Sequence, residues 1–273
     1  MTSQLKYQLC ILFALAFLAS CATVPHTGRK QFNMVSDADL NSLGIQAFNS
    51  VMQQESRSKD KQLTETVRAV SQRITQAAEA LDKPKFNWDV ELVERDVANA
   101  VCLPGGKIIV FTGIIPHAHN EAGLAAIVGH EVAHAVARHG GERLSQKLAL
   151  QSALGLSGEI LRGRDGKLDQ RTRLILGALG LGAEVGIVLP YSRIHEFEAD
   201  RIGQLYMARA GYDPQEYLKL WERMAKIKKP PIPVWLSTHP TDDERIAKLK
   251  ENLPAAMREY ENAVTKHGAG RAL

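Results

Sequence analysis

Cysteine and aromatic side chains are scarce in this chain of 273 residues, which holds 3 cysteines and 6% Phe, Trp and Tyr. With only Cys10, Cys21 and Cys102 available, a disulfide-stapled scaffold is excluded. No charge of one sign dominates, since 34 basic and 30 acidic residues leave a net charge of +4. That excess is scattered and no nucleic-acid-binding motif accompanies it, so no nucleic-acid partner is expected. Bilayer-length apolar runs are missing as well. Leu9 to Ala19 is 11 residues, and Leu174 to Leu189 is 16 residues interrupted by Glu184 and four glycines. Both fall short of a spanning helix. What is there is ordinary globular composition, 45% hydrophobic and 23% charged, enough for one large or two small domains. No repeat of a solenoid period is present.

The N-terminus is the first informative segment. Lys6 precedes the apolar run, and small residues Ala19-Ser20 close it, which fits a signal peptide over 1–20. The ending Leu18-Ala19-Ser20-Cys21 resembles the lipobox of bacterial lipoproteins. The resemblance implies cleavage before Cys21, lipid attachment there, a lipidated tether over 21–36, and anchoring to the membrane. Ala22 after the cysteine points by the same resemblance to the periplasmic side of the bacterial outer membrane. The alternative is an ordinary secretory signal. Cys102, in an apolar stretch, reads as a core residue.

Periodicity then predicts an α+β fold that is mainly helical. A helix from about Asp37 is followed by one in which Leu63, Val67, Val70, Ile74 and Leu81 recur at helical spacing. Phe86, Trp88, Val90 and Leu92 alternate as a strand, and after a turn at Leu103–Gly106 the residues Lys107–Thr112 form a second strand, suggesting a small antiparallel sheet. Asn120 caps a helix to about His139, residues 142–162 and 174–189 continue helically, and Tyr191–Ala210 is a helix closed by Gly211. Thr241 and Glu244 form a capping box, and the end frays.

The chemistry concentrates in His130-Glu131-Val132-Ala133-His134. On a helix the two histidines lie one above the other, so both imidazoles can reach one ion, while Glu131 is rotated to act as general base on a water beside it. A third protein ligand is required. Glu196 and Asp200, at i and i+4 on a later helix, offer an oxygen ligand and a partner for a ligand histidine. Glu198 is the competing carboxylate, and His139 and His195 are competing imidazoles. The pairing with Asp200 favours Glu196. His139, at i+5 from His134, reads as a helix-end residue.

This constellation, with Ser192-Arg193 before Glu196 and Arg201-Ile202-Gly203 after it, resembles the HtpX-like, CAAX-prenyl-protease-like family of gluzincin metallopeptidases. Among its members it is most similar to the small periplasmic lipoproteins of the LoiP and BepA type. The resemblance runs from about Gly28 to Leu249, departing at Cys102, where Ala is common. It implies a zincin-like metalloprotease domain over 37–253, a tail over 254–273, and one Zn²⁺ per chain held by His130, His134 and Glu196. It further implies that His239, in Ser237-Thr238-His239-Pro240, lies near the zinc and that Arg245 lies close by; both are candidates for stabilising the oxyanion. Lys107, Ile108, Ile109 and Val110 are the expected substrate-pairing strand. The expected activity is a zinc endopeptidase of the bacterial envelope, degrading misfolded or unassembled envelope proteins. The alternative is a latent protease with a plugged site, acting as a chaperone with outer-membrane assembly partners.

Overall fold

The computed structural model describes residues 21–153, 175–181, 191–227, 232–240 and 242–273. The signal peptide expected at 1–20 and the helical stretches expected at 154–162 and 182–189 lie outside the described residues. The segment expected as a tether is folded. Strands β1 (Cys21–Thr23) and β2 (Lys30–Phe32) form an antiparallel hairpin. His26, 3.0 Å from Asp82, and Arg29 tie it to the body.

Side-chain caps set the first helices. Ser36 accepts from the Asp39 N–H at 3.1 Å to start α1 (Asp37–Gln54), and Asp60 accepts from the Leu63 N–H at 2.9 Å to start α2 (Lys61–Leu81). Val67, Val70, Ile74 and Ala78 then face the core from α2. Three strands follow: β3 (Asp89–Val93), β4 (Ala100–Leu103) and β5 (Lys107–Phe111). The expected strand from Phe86 begins only at Asp89. Strand β4 is an addition to the sequence reading. It pairs antiparallel with β5, as expected of a small sheet, whereas β3 pairs parallel with it.

The order is β3-β5-β4, so both edges of β5 are already hydrogen-bonded. This corrects the expected substrate strand: Lys107, Ile108, Ile109 and Val110 have no free edge to offer a peptide. The outer strands are β3 and β4, and β3 is partly covered by the 56–58 segment through the Arg57–Val93 bridge. Both faces of β5 are buried too. Ile108 and Val110 join the core shared with α2, and Ile109 and Phe111 pack with Leu40 and Phe48 of α1.

A short helix α3 (Ile115–Ala118) leads to α4 (Glu121–Val136), capped by Asn120 as expected, its side chain accepting from the Gly123 N–H at 2.8 Å. Helix α4 is buried on all sides, which its all-round apolar sequence requires. Next come α5 (His139–Ala153), α6 (Arg193–Arg209), α7 (Gln215–Met224), α8 (Val234–Thr238) and α9 (Asp243–Glu261). Asp242 caps α9, accepting from the Arg245 N–H at 2.9 Å; Thr241, the expected cap, lies outside the described residues. The C-terminal end does not fray. It returns to the start of α4, where Arg271 donates to Glu121 at 2.6 Å and the Leu273 N–H to the His119 carbonyl at 3.2 Å. No helix among the described residues is long and apolar enough to cross a membrane. The architecture is α+β and mainly helical, as expected of a zincin-like domain.

The most extensive helix contact is between α4 and α6. It is permitted by a glycine pair, since a Cβ on Gly203 would lie 2.9 Å from the Gly129 carbonyl carbon and the His130 nitrogen. Glu196, Asp200 and Gly203 stand at i, i+4 and i+7, one face of α6, and that face meets His130. Gly203→Ala is therefore expected to prise the helices apart, costing about 1–3 kcal/mol. Thermal denaturation followed by circular dichroism should show a lowered Tm; an unchanged Tm would contradict the close approach.

Candidate metal centre

Four side chains converge where α4 and α6 cross: His130, His134, Glu196 and His239 offer ligand atoms all within 4.8 Å of one another. The Nε2 atoms of His130 and His134 are 3.1 Å apart, and Glu196 reaches each of them at 3.4 Å. His239, in the turn after α8, brings Nδ1 to 3.1 Å from His130 Nε2 and 3.0 Å from Glu196 Oε1. A tetrahedral zinc site with bonds of about 2.0–2.1 Å has edges of about 3.3–3.4 Å. Contacts of 3.0–3.4 Å among the imidazole nitrogens and the Glu196 carboxylate lie near that edge length. Glu131 lies beside the cluster, 3.4 Å from His239 Nε2, and accepts from the Trp235 indole N–H at 2.6 Å.

Behind His130, Asp200 Oδ1 is 3.1 Å from Nδ1 and also accepts from the Tyr217 hydroxyl at 3.2 Å. Arg245 is buried between the carboxylates, with Nη1 2.5 Å from Glu196 and Nε 2.5 Å from Asp200. Its guanidinium lies 3.5 Å from the Trp221 ring centroid, and Trp221 stacks on Trp235 at 4.7 Å. Its Nη1 also donates to the Pro240 carbonyl at 3.0 Å, and Arg245 lines a cavity beside Glu196. Burial opposes ionisation of Glu196 and Asp200, but the Arg245 charge prevails and holds both below the usual carboxylate range. Burial likewise opposes charge on His130, yet hydrogen bonds to Asp200 and Glu196 raise it to about 9, while burial keeps His134 well below its ordinary value.

Behind His134 lies a network absent from the sequence reading. Helix α4 ends at Ala137 and Arg138 takes φ 58°, so the chain turns and His139 opens a new helix. The expectation that His139 faces away is therefore corrected: its Nδ1 is 2.9 Å from His134 Nδ1. His139 Nε2 meets Glu198 Oε2 at 3.1 Å, so Glu198 sits behind the ligands and not among them. Arg29 of the hairpin pairs with Glu198 at 2.9 Å and with Glu142 at 2.7 Å, and Glu142 in turn meets His195 at 3.0 Å. Burial drops His139 to about 4, keeping it neutral. The available signal was spacing: a third histidine five residues beyond His134, with Glu142 one turn on. Nothing local marked Arg29 or Trp235.

Other polar and thiol side chains fall outside the cluster. Cys102 is buried in the core, as expected, and burial pushes its thiol well up. His117 and His119 flank the helix entry without reaching the ligands. Arg201 is exposed, and Arg193 pairs with Glu244 at 3.2 Å, lining a cavity of about 340 Å³ that extends to Glu196 and Phe197.

Arg29 links two carboxylates whose acidity it governs. Burial opposes the charge on Glu142 and Glu198, but hydrogen bonds from His195 and Arg29 to the one, and from His139 and Arg29 to the other, lower each to about 2. A depressed carboxylate contributes stability above its unfolded value of about 4.5 and loses it as pH falls towards about 2. Arg29→Ala is expected to cost about 2–3 kcal/mol at neutral pH, less than for a fully buried pair because Arg29 is partly exposed. Its acid-unfolding midpoint, followed by circular dichroism, should lie at higher pH than that of the unmodified chain. Coincident acid transitions would contradict the clamp.

The profile of peptidase family M48 matches residues 61–253. The chain is 32% identical over 246 residues to mitochondrial metalloendopeptidase OMA1 of Schizosaccharomyces pombe, spanning 89% of this chain and 70% of that protein. It is 33% identical over 281 residues to the Saccharomyces cerevisiae OMA1, spanning 96% and 78%. The beta-barrel assembly-enhancing protease of Escherichia coli matches at 26% over 237 residues, spanning 85% and 47%. These relatives overturn the expected bacterial envelope function and outer-membrane localisation. The better-matching proteins, aligned over most of both chains, are mitochondrial, and the bacterial one aligns over under half its length. The reading of Cys21 as an outer-membrane lipid anchor, and of outer-membrane assembly partners, is withdrawn with them. Its histidine-and-glutamate centre and these relatives together establish that the chain belongs to peptidase family M48, a metalloendopeptidase acting on proteins.

Proposed function

We propose that this metalloendopeptidase uses zinc and that His239 keeps it latent by taking the fourth ligand position. The observation that carries this reading is the convergence of four donors, His239 among them, within 4.8 Å of one another. His130, His134 and Glu196 are the permanent ligands. A catalytic zinc site keeps one position open, so His239 must withdraw before substrate enters. Bound zinc supplies Lewis-acid polarisation of the scissile carbonyl and of the attacking water.

The chain's own residues do the rest. Glu131 takes the proton from the water and returns it to the leaving amine, its carboxylate aimed by the Trp235 N–H. Asp200 orients His130, and Arg245 holds Glu196 and Asp200 as carboxylates, a positioning role. His239 Nε2, beside Glu131, is placed to assist the oxyanion once it has swung off the ligand position. The outer strand β4, packed on α4, replaces β5 as the strand that pairs with the substrate main chain.

Glu131→Gln should lose at least about a hundredfold of casein cleavage, the usual worth of a general base, with zinc content unchanged by metal analysis. Undiminished proteolysis by that variant would refute the assignment. Removing the fourth ligand should do the opposite: His239→Ala is expected to cleave casein faster than the unmodified chain. Equal or slower turnover would count against latency.

A further inference from the structure

The metal cluster has two supporting arms, and only the one behind His130 follows the spacing of Glu196 and Asp200. The arm behind His134 is built from three separate parts of the chain. His134 Nδ1 meets His139 Nδ1 at 2.9 Å, and His139 Nε2 meets Glu198 Oε2 at 3.1 Å. Glu198 also accepts from Thr27 at 2.8 Å and from Arg29 through Nε at 2.9 and 3.0 Å and through Nη2 at 2.9 Å. These groups are buried, apart from the partly exposed clamp supplied by the hairpin.

Hydrogen-bonding capacity fixes the direction of the relay. A carboxylate only accepts, so His139 Nε2 must carry a proton and donate to Glu198. A neutral His139 then has a lone pair on Nδ1, which must accept from His134 Nδ1–H. His134 is left with its lone pair on Nε2, the atom that faces His130 and Glu196. A carboxylate two residues removed thus selects the tautomer a metal ligand needs.

We propose that His139 and Glu198 are positioning residues for the metal, fixing the tautomer and orientation of His134, with Arg29 of the N-terminal hairpin holding Glu198 in place. This rests on His134 being a metal ligand. It goes beyond that reading by extending the metal centre to a segment near residue 29, outside the matched family region of 61–253.

The same guanidinium offers an internal control. Glu142 pairs with Arg29 at 2.7 Å and with His195 at 3.0 Å, yet neither has a hydrogen bond to a ligand histidine. The experiment is a Zn²⁺ competition titration of the full chain against a chromogenic chelator, with absorption spectra of the Co²⁺-loaded protein. Glu198→Gln and His139→Phe should each raise the Kd for Zn²⁺ by about 10- to 100-fold and alter the cobalt bands. Glu142→Gln, which leaves the bonds from Arg29 to Glu198 in place, should leave Kd and spectrum as in the unmodified chain. Glu198→Gln keeps the shape of the side chain and decides alone should His139→Phe fail to fold. Unchanged affinity and spectrum in Glu198→Gln, or an equal loss in Glu142→Gln, overturns the relay. His134→Ala separates the two readings. If it binds Zn²⁺ like the unmodified chain, the metal-site assignment fails; if it loses Zn²⁺ while Glu198→Gln does not, only the relay fails.

Discussion

Two carboxylates, Glu196 and Asp200, are buried at the crossing of two apolar helices, and each such charge costs several kcal/mol unless it is paired. Arg245 is the cation between them, within 2.5 Å of both. Its own burial is relieved by those carboxylates and by the face of Trp221. Much else follows from this ion triad. Helix α9 must begin where it does to deliver Arg245, and Trp221 must stack on Trp235, whose indole N–H then reaches Glu131. The Gly129–Gly203 contact lets the helix axes come close enough for the triad to touch His130.

The same electrostatic logic appears on the other side of the cluster, with different parts. There Arg29 neutralises Glu142 and Glu198, and each carboxylate meets a histidine; the two imidazoles stack at 4.4 Å. The hairpin that carries Arg29 is therefore part of the catalytic body. His239 stands with His130, His134 and Glu196, their donor atoms all within 4.8 Å of one another.

Much of this was legible from residue spacing. His130, Glu131 and His134 share a helix, and the i, i+4 pair Glu196 and Asp200 shares another, so periodicity alone puts each set on one face. The central place of β5 is legible too: Lys107-Ile108-Ile109-Val110-Phe111 lacks alternation, the pattern of a strand buried on both faces. Strand β4 is short and runs straight into the turn, so its residues carry no period of their own. Helical rotation carried past Ala137 turns His139 away from His134, but the positive φ of Arg138 breaks that rotation. The N-terminal pattern at Cys21 misled for another reason. Four residues resembling a lipobox carry little information beside relatives that align along 89% and 96% of the chain.

The sequence by itself determined the outline of the chemistry, two histidines and a glutamate spaced on one helix and a carboxylate pair on another, and that the fold is mainly helical with a small sheet. These are local properties, set by residue type and by periods of two and 3.6. Tertiary structure alone decided the strand order, the saturation of Arg245 by carboxylates, the approach of His239 to the ligands and the reach of Arg29 from the hairpin. Each of these joins residues far apart in the chain, 169 positions for Arg29 and Glu198 and 109 for His130 and His239. Spacing along a chain has no purchase on such pairs, because only packing brings them together.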